Sequence, residues 1–234
     1  MKLPILLITP PFTQLNTPYP ATPYLKGFLN TQNIESKQMD LGIDVILKVF
    51  SKQGIQNIFD TVEKKSSDDL SENSERIAAL APFYIQTIDA VIEFLQNRQP
   101  TLAHQICSRN YLPEASRFNL LEEMEWAFGS MGIQDKARHL CTLYLEDLSD
   151  FIIENIDENF GFSRYAERLG RSAHTFDELY ENLNQENSYI DQVTIELLSQ
   201  SIELYSPKMV GFSVPFPGNL YSAFKCAQWL KKNH

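Results

Sequence analysis

Two short apolar runs stand at opposite ends of the chain. Residues 3–12 read LPILLITPPF and residues 208–217 read KMVGFSVPFP. Each run stops at a proline-rich turn that leads into an amphipathic segment. An almost uninterrupted series of Leu, Ile, Val and Phe fits a strand buried on both faces of a parallel sheet. The first run predicts a strand at about 3–9, a loop at 9–20, and a helix from Ala21 to about Asn33. That helix carries Tyr24, Leu25, Phe28 and Leu29 at helical spacing. Ile34, Met39 and Leu41 suit a second strand, which Asp40 and Gly42 terminate. A strand–helix–strand of this length is a βαβ unit with a right-handed crossover.

From Val45 to Tyr205 the pattern is helical. Residues 75–96 place Ile77, Leu80, Tyr84, Ile88, Val91 and Leu95 on one stripe, with Pro82 marking a kink or a break near Ala81. Residues 137–156 repeat the stripe with Leu140, Tyr144, Leu148, Phe151 and Ile152. Thr175 with Glu178 has capping-box form before a helix carrying Phe176, Leu179, Tyr180 and Leu183. A further helix at about 189–205 carries Ile190, Val193, Leu197 and Leu198 and ends at Pro207. The polar run EKKSSDDLSENSE at 63–75 reads as a loop.

The predicted fold is therefore α/β: an incomplete Rossmann-like (flavodoxin-like) parallel sheet of order 2-1-3, interrupted by a large all-helical insertion. Residues 1–44 plus 208–234 form the sheet part and 45–207 the insertion. Ligands of such sheets bind outside the carboxyl ends of the strands. Pro10, Pro11, Pro215 and Pro217 stiffen two turns at that edge.

A formal charge of −10 excludes the basic footprint of a nucleic-acid binder. No apolar stretch approaches the ~18 residues of a membrane helix, and no secretory leader is present, so a cytoplasmic location is expected. Cys107, Cys141 and Cys226 are widely spaced and read as reduced thiols. The four histidines form no metal-ligand pair, no glycine-rich phosphate loop occurs, and Ser213 has no nameable base. Glu154 and Glu158 fit a solvated acidic face, and Trp229, Phe224 and Tyr221 fit the packing of the last helix on the sheet. FGFSRYAERLGR at 160–171 reads as a helix start with Ser163 as N-cap, or as an aromatic face whose Arg164, Arg168 and Arg171 meet an anion.

Residues 3–29, Asp40-Leu41-Gly42 and VGFSVPFPGNL at 210–220 together resemble the cobalamin (B12)-binding type of α/β domain. More narrowly, they resemble the N-terminal B12-binding-like domain of radical S-adenosylmethionine (radical SAM) proteins. The resemblance implies a corrinoid or a substrate held over the strand ends, with Ser213 in the family's S-x-L position lining the pocket of the nucleotide tail. It places Asp40 and Gly42 near the corrin rim and Thr9, Pro10, Pro11 and Thr22 in the first loop. Val214, Pro215, Gly218 and Asn219 fall in the third turn. The first loop lacks D-x-H-x-x-G, so any cobalamin would bind without a histidine lower ligand. The C-x-x-x-C-x-x-C that holds a 4Fe-4S cluster with S-adenosylmethionine is absent. That chemistry is expected in a radical SAM domain beyond residue 234, the chain's implied partner, and no catalysis is expected of this portion alone. The alternative is a degenerate, cofactor-free scaffold or dimerisation module, and a homodimer through the open sheet edge is a further expectation.

Overall fold

The computed structural model describes residues 4–13, 19–64, 70–120, 132–162 and 176–234. They fall into two compact units, 1–46 with 159–234 and 47–158.

The first unit carries the sheet. Strand β1 (Ile5–Thr9) lies between β2 (Ser36–Asp40) and β3 (Met209–Phe212), all parallel, in the order β2-β1-β3. The register pairs Ile5 with Ser36 and Met209, and Ile8 with Met39 and Phe212. Leu6, Leu7 and Ile8 are all buried although they alternate between faces, as a central strand demands. Each such side chain stabilises the fold by roughly 1.5–3 kcal/mol. Helix α1 (Ala21–Thr31) joins β1 to β2, and α2 (Leu41–Val49) begins at the residue after β2. Gly42 therefore sits in a first helical turn instead of a loop. Asp40 supplies the cap, accepting the Ile43 N–H at 3.1 Å.

Helix α1 departs from its amphipathic pattern. Tyr24 and Phe28 are 79% and 62% exposed, and Thr22 is the one buried residue of the helix.

The second unit is helical: α3 (Lys52–Glu63), α4 (Glu72–Ala79), α5 (Ala81–Leu95), α6 (Ala103–Cys107) and α7 (Ile133–Asn155), with short 3-10 turns at Pro100–Leu102 and Ser116–Leu120. Ser51 and Ser71 cap α3 and α4 by accepting the amides of Gly54 and Ser74. The polar run at 63–75 thus contains a helix start, because Ser71 offers a better cap than continued coil; its residues 65–69 lie outside the described set. At Pro82 the break wins over the kink: α4 and α5 meet at 73°, with the proline in the first turn of α5, where no donor is lost. Phe59, Tyr84 and Phe151 stack in the core, and the Tyr144 hydroxyl donates to the Tyr84 carbonyl at 3.1 Å. Glu154 is not merely solvated: its carboxylate receives Ser71 Oγ and Ser74 Oγ at 2.8 and 2.5 Å.

Three more helices complete the sheet-bearing unit: α8 (Asp177–Asn184), α9 (Tyr189–Tyr205) and α10 (Pro217–Asn233). The first two, read from sequence as part of the insertion, group with the sheet. A capping box at Ser188 and Asp191 opens α9; the one read at Thr175 lies outside the described residues, as does 163–171. The last helix packs against α8 and α9. Phe224, 38% exposed, meets Phe176, Trp229 lies beside His234, and the buried Tyr221 donates to Asp191 on α9. Among the described residues no single helix is long and apolar enough to cross a membrane.

Candidate functional site

The carboxyl ends of the three strands gather the candidate residues. Ser213 N–H donates to the Ile8 carbonyl at 2.9 Å, extending the ladder by one step beyond β3. Asn219, in the first turn of α10, donates from Nδ2 to the Pro10 carbonyl at 2.7 Å. Its Oδ1 is buried and has no partner. The first and third turns are thereby tied together across more than two hundred residues of sequence. A Cβ added at Gly42 would lie 3.3 Å from Asp40 Oδ1 and, at an ordinary contact distance of 3.5 Å, beside Pro11 Cα, so the start of α2 stands next to the first turn. Thr9, Pro10, Pro11, Asp40, Gly42, Ser213 and Asn219 thus belong to one edge. Gly218 is buried beside Asn219 in α10, and Thr22 is buried in the first turn of α1.

The centre of that edge is filled. Thr9 through Thr13 are buried, and the fully buried Phe12 ring meets Phe160 edge-on at 6.0 Å between centroids. Among the described residues, the exposed Val214 and Phe216 flank the half-buried Pro215 as an open rim, Phe216 being 54% exposed and 6.0 Å from the Tyr19 ring.

At the end of β2 two carboxylates stand one helical turn apart. Burial lifts Asp40 above the ordinary carboxyl range, opposed in part by the Ile43 and Gly42 amides. Burial lifts Asp44 as well, and the charge of Asp40 adds to it. Sequence reasoning named Asp40 and passed over Asp44, although the four-residue spacing places both on one face. It also passed over Phe12, whose role depends on Phe160, far away in sequence.

Among the described residues no group of three metal-ligating side chains occurs. Cys107, Cys141 and Cys226 are free, and burial pushes the thiols of Cys141 and Cys226 up to about 12, which leaves them as inert packing groups. Two cavities lie away from the edge. One, of about 430 Å³, runs along α9 beside Trp229; the other, of about 210 Å³, sits at the amino ends of β1 and β2 beside Leu204 and Tyr205.

A corrinoid needs a flat, open floor over the strand ends, and among the described residues this edge does not show one. Phe12 occupies the exit of β1, and the strand-end residues include no histidine for cobalt. Comparison with known protein families, with curated proteins and with solved structures finds no match for this chain.

Proposed function

We propose that this chain is a holding domain of the kind that precedes the catalytic domain in radical SAM proteins, and that it performs no bond-breaking itself. On this reading it works in the cytoplasm, beside an iron–sulfur domain that supplies the chemistry, and its sheet has exchanged the corrinoid for a substrate or a protein segment. The observation that carries the proposal is the preformed strand-end edge: the Asn219–Pro10 bond ties the first and third turns together, and Gly42 at the start of α2 stands beside Pro11, so three turns share one rim. The filling of the β1 exit by Phe12 favours the cofactor-free form over the corrinoid form.

Ultraviolet–visible titration with hydroxocobalamin tests the choice of occupant. The absorption bands should stay unmoved at stoichiometric protein; a saturating shift would restore the corrinoid reading. The coding sequence on either side of this stretch tests the wider claim. A C-x-x-x-C-x-x-C downstream of His234 is the expected result, and a complete gene without one overturns the radical SAM association.

A further inference from the structure

The end of the sheet opposite the candidate edge holds a cavity of its own, of about 210 Å³, at the amino ends of β1 and β2. Its apolar lining includes Ile5, Leu204 and Pro207, and its polar lining is the successive residues Glu35, Ser36 and Lys37. All of them belong to the sheet-bearing unit. Pockets for drug-sized ligands run to roughly 300–1,000 Å³, so this one suits a smaller molecule.

The polar residues carry bonding capacity that the fold leaves unused. Ser36 is 7% exposed, and its buried Oγ has no hydrogen-bond partner among the described residues. An orphaned hydroxyl of this kind is a standing cost to the folded state. Lys37 is held at the cavity by the ring of Tyr205, another lining residue, with Nζ 5.9 Å from the centroid. The Glu35 carbonyl accepts the Ile5 N–H at 3.0 Å, which continues the ladder one residue before β2. Residues two apart on a strand share a face and lie roughly 6–7 Å from each other, so the chains of Glu35 and Lys37 rise side by side. Among the described residues neither of them has an ion-pair partner.

We infer that this cavity is a binding site for a free amino acid with a small apolar side chain. The ligand's ammonium meets Glu35, its carboxylate meets Lys37, and Ser36 gains the partner it lacks in the fold. The ligand's side chain lies against Ile5, Leu204 and Pro207. Charge decides between this ligand and simpler ones. Glu35 repels a phosphate or a plain carboxylate, and Lys37 repels a plain amine, whereas a zwitterion answers both. An α-amino acid carries its two charges close together, so one hydrogen bond at each end bridges a gap of this size. The inference goes beyond the reading of the chain as a holding domain and uses none of the strand-end residues. A hydroxocobalamin result therefore leaves it standing.

The test is a titration of the isotope-labelled chain with L-valine, followed by amide NMR. The signals of Ile5, Ser36, Lys37 and Tyr205 should move together and saturate with one Kd. N-acetyl-L-valine and L-valinamide each keep a single charge and mimic the two ends of a peptide. Both should bind at least about tenfold more weakly, the effect of losing one charge-assisted hydrogen bond. Lys37→Met and Glu35→Gln, at exposed positions, should each weaken L-valine by about tenfold as well. Ser36→Ala should weaken it without lowering Tm, because the hydroxyl it removes has no partner in the fold. Absence of saturable shifts at those amides, or equal affinity for either single-charge analogue, overturns the inference. So does L-valine binding that the Lys37 and Glu35 variants leave unchanged.

Discussion

Lys225→Met removes one charge from a buried cluster that joins three helices of the sheet-bearing unit. Asp191 and Lys225 are 3% and 5% exposed, and Lys225 Nζ lies 3.7 Å from Asp191 Oδ2. The same carboxylate oxygen receives the Tyr221 hydroxyl at 2.8 Å and closes the capping box with the Ser188 N–H at 3.2 Å. Lys225 Nζ also donates to the Gln185 carbonyl and to Asn187 Oδ1, both at 3.2 Å, which pins the α8–α9 turn onto α10. Methionine keeps the length of the stem and strips the charge. Asp191 then stays buried with its counter-ion gone, and two acceptors lose a donor. Breaking a buried pair from one side costs about 3–5 kcal/mol. Tyr221 and the Ser188 amide still serve Asp191, so the lower figure applies, about 3 kcal/mol. For a chain of this size that corresponds to a fall in Tm of roughly 6–12 °C. Because the chain has two units, a single global transition is a weak readout. Hydrogen exchange resolved along the chain is the better assay: amides of residues 185–200 and 217–233 should exchange faster, and those of α5 and α7 should not change. A loss below about 1 kcal/mol, the range of an exposed pair, would refute the reasoning, as would faster exchange spread evenly over both units.

Two further outcomes follow from the helical unit. Gly54→Ala should destabilise by about 2 kcal/mol in urea unfolding even though alanine is the better helix former by ~1 kcal/mol. The added Cβ would meet the carbonyl oxygens of Lys48 and Val49 and lie 2.8 Å from the Val49 carbonyl carbon, backbone that cannot step aside; a more stable variant contradicts this. Asp147, fully buried on α7, accepts the amides of Ala115 and Arg117 at 3.0 Å each, and burial lifts its carboxyl to about 6. The folded state thus binds the proton more tightly than the unfolded chain, so this contribution is present below pH ~4 and is lost as pH rises through about 6. The shift of about two pH units amounts to ~3 kcal/mol; the stability of wild type relative to Asp147→Asn should fall by that order between pH 4 and 7, and parallel pH profiles would contradict it.

The sheet was legible because its signal is local. The run ILLIT states its own burial, whereas MVGF is half-buried with Met209 exposed, because β3 flanks the central strand on one side. The spacing of strand, helix and strand leaves few ways to wind them. The rim was partly legible: the proline turns and Asp40 announce strand ends without any knowledge of neighbours. Phe12 was not, since a phenylalanine after two prolines looks the same whether it lines a hollow or fills it, and Phe160 decides which. Tyr24 and Phe28 misled for the converse reason: helical spacing promises a buried stripe, and only the neighbouring elements determine whether anything covers it. Likewise Gly42, after a strand-like segment, reads as a terminator. Only the close approach of Asp40 Oδ1, 3.3 Å from where a Cβ would stand, gives a packing reason for a residue without a Cβ inside a first helical turn.

The sparse burial of α1 has a consequence for how this unit breathes. A helix that hides little more than Thr22 gives up scarcely any apolar contact when it lifts away, whereas β1 and β2 beneath it remain joined by their own ladder. The link between the first two strands can therefore melt and re-form many times within the lifetime of the folded sheet, leaving Lys26 open to tryptic cleavage long before the strands part.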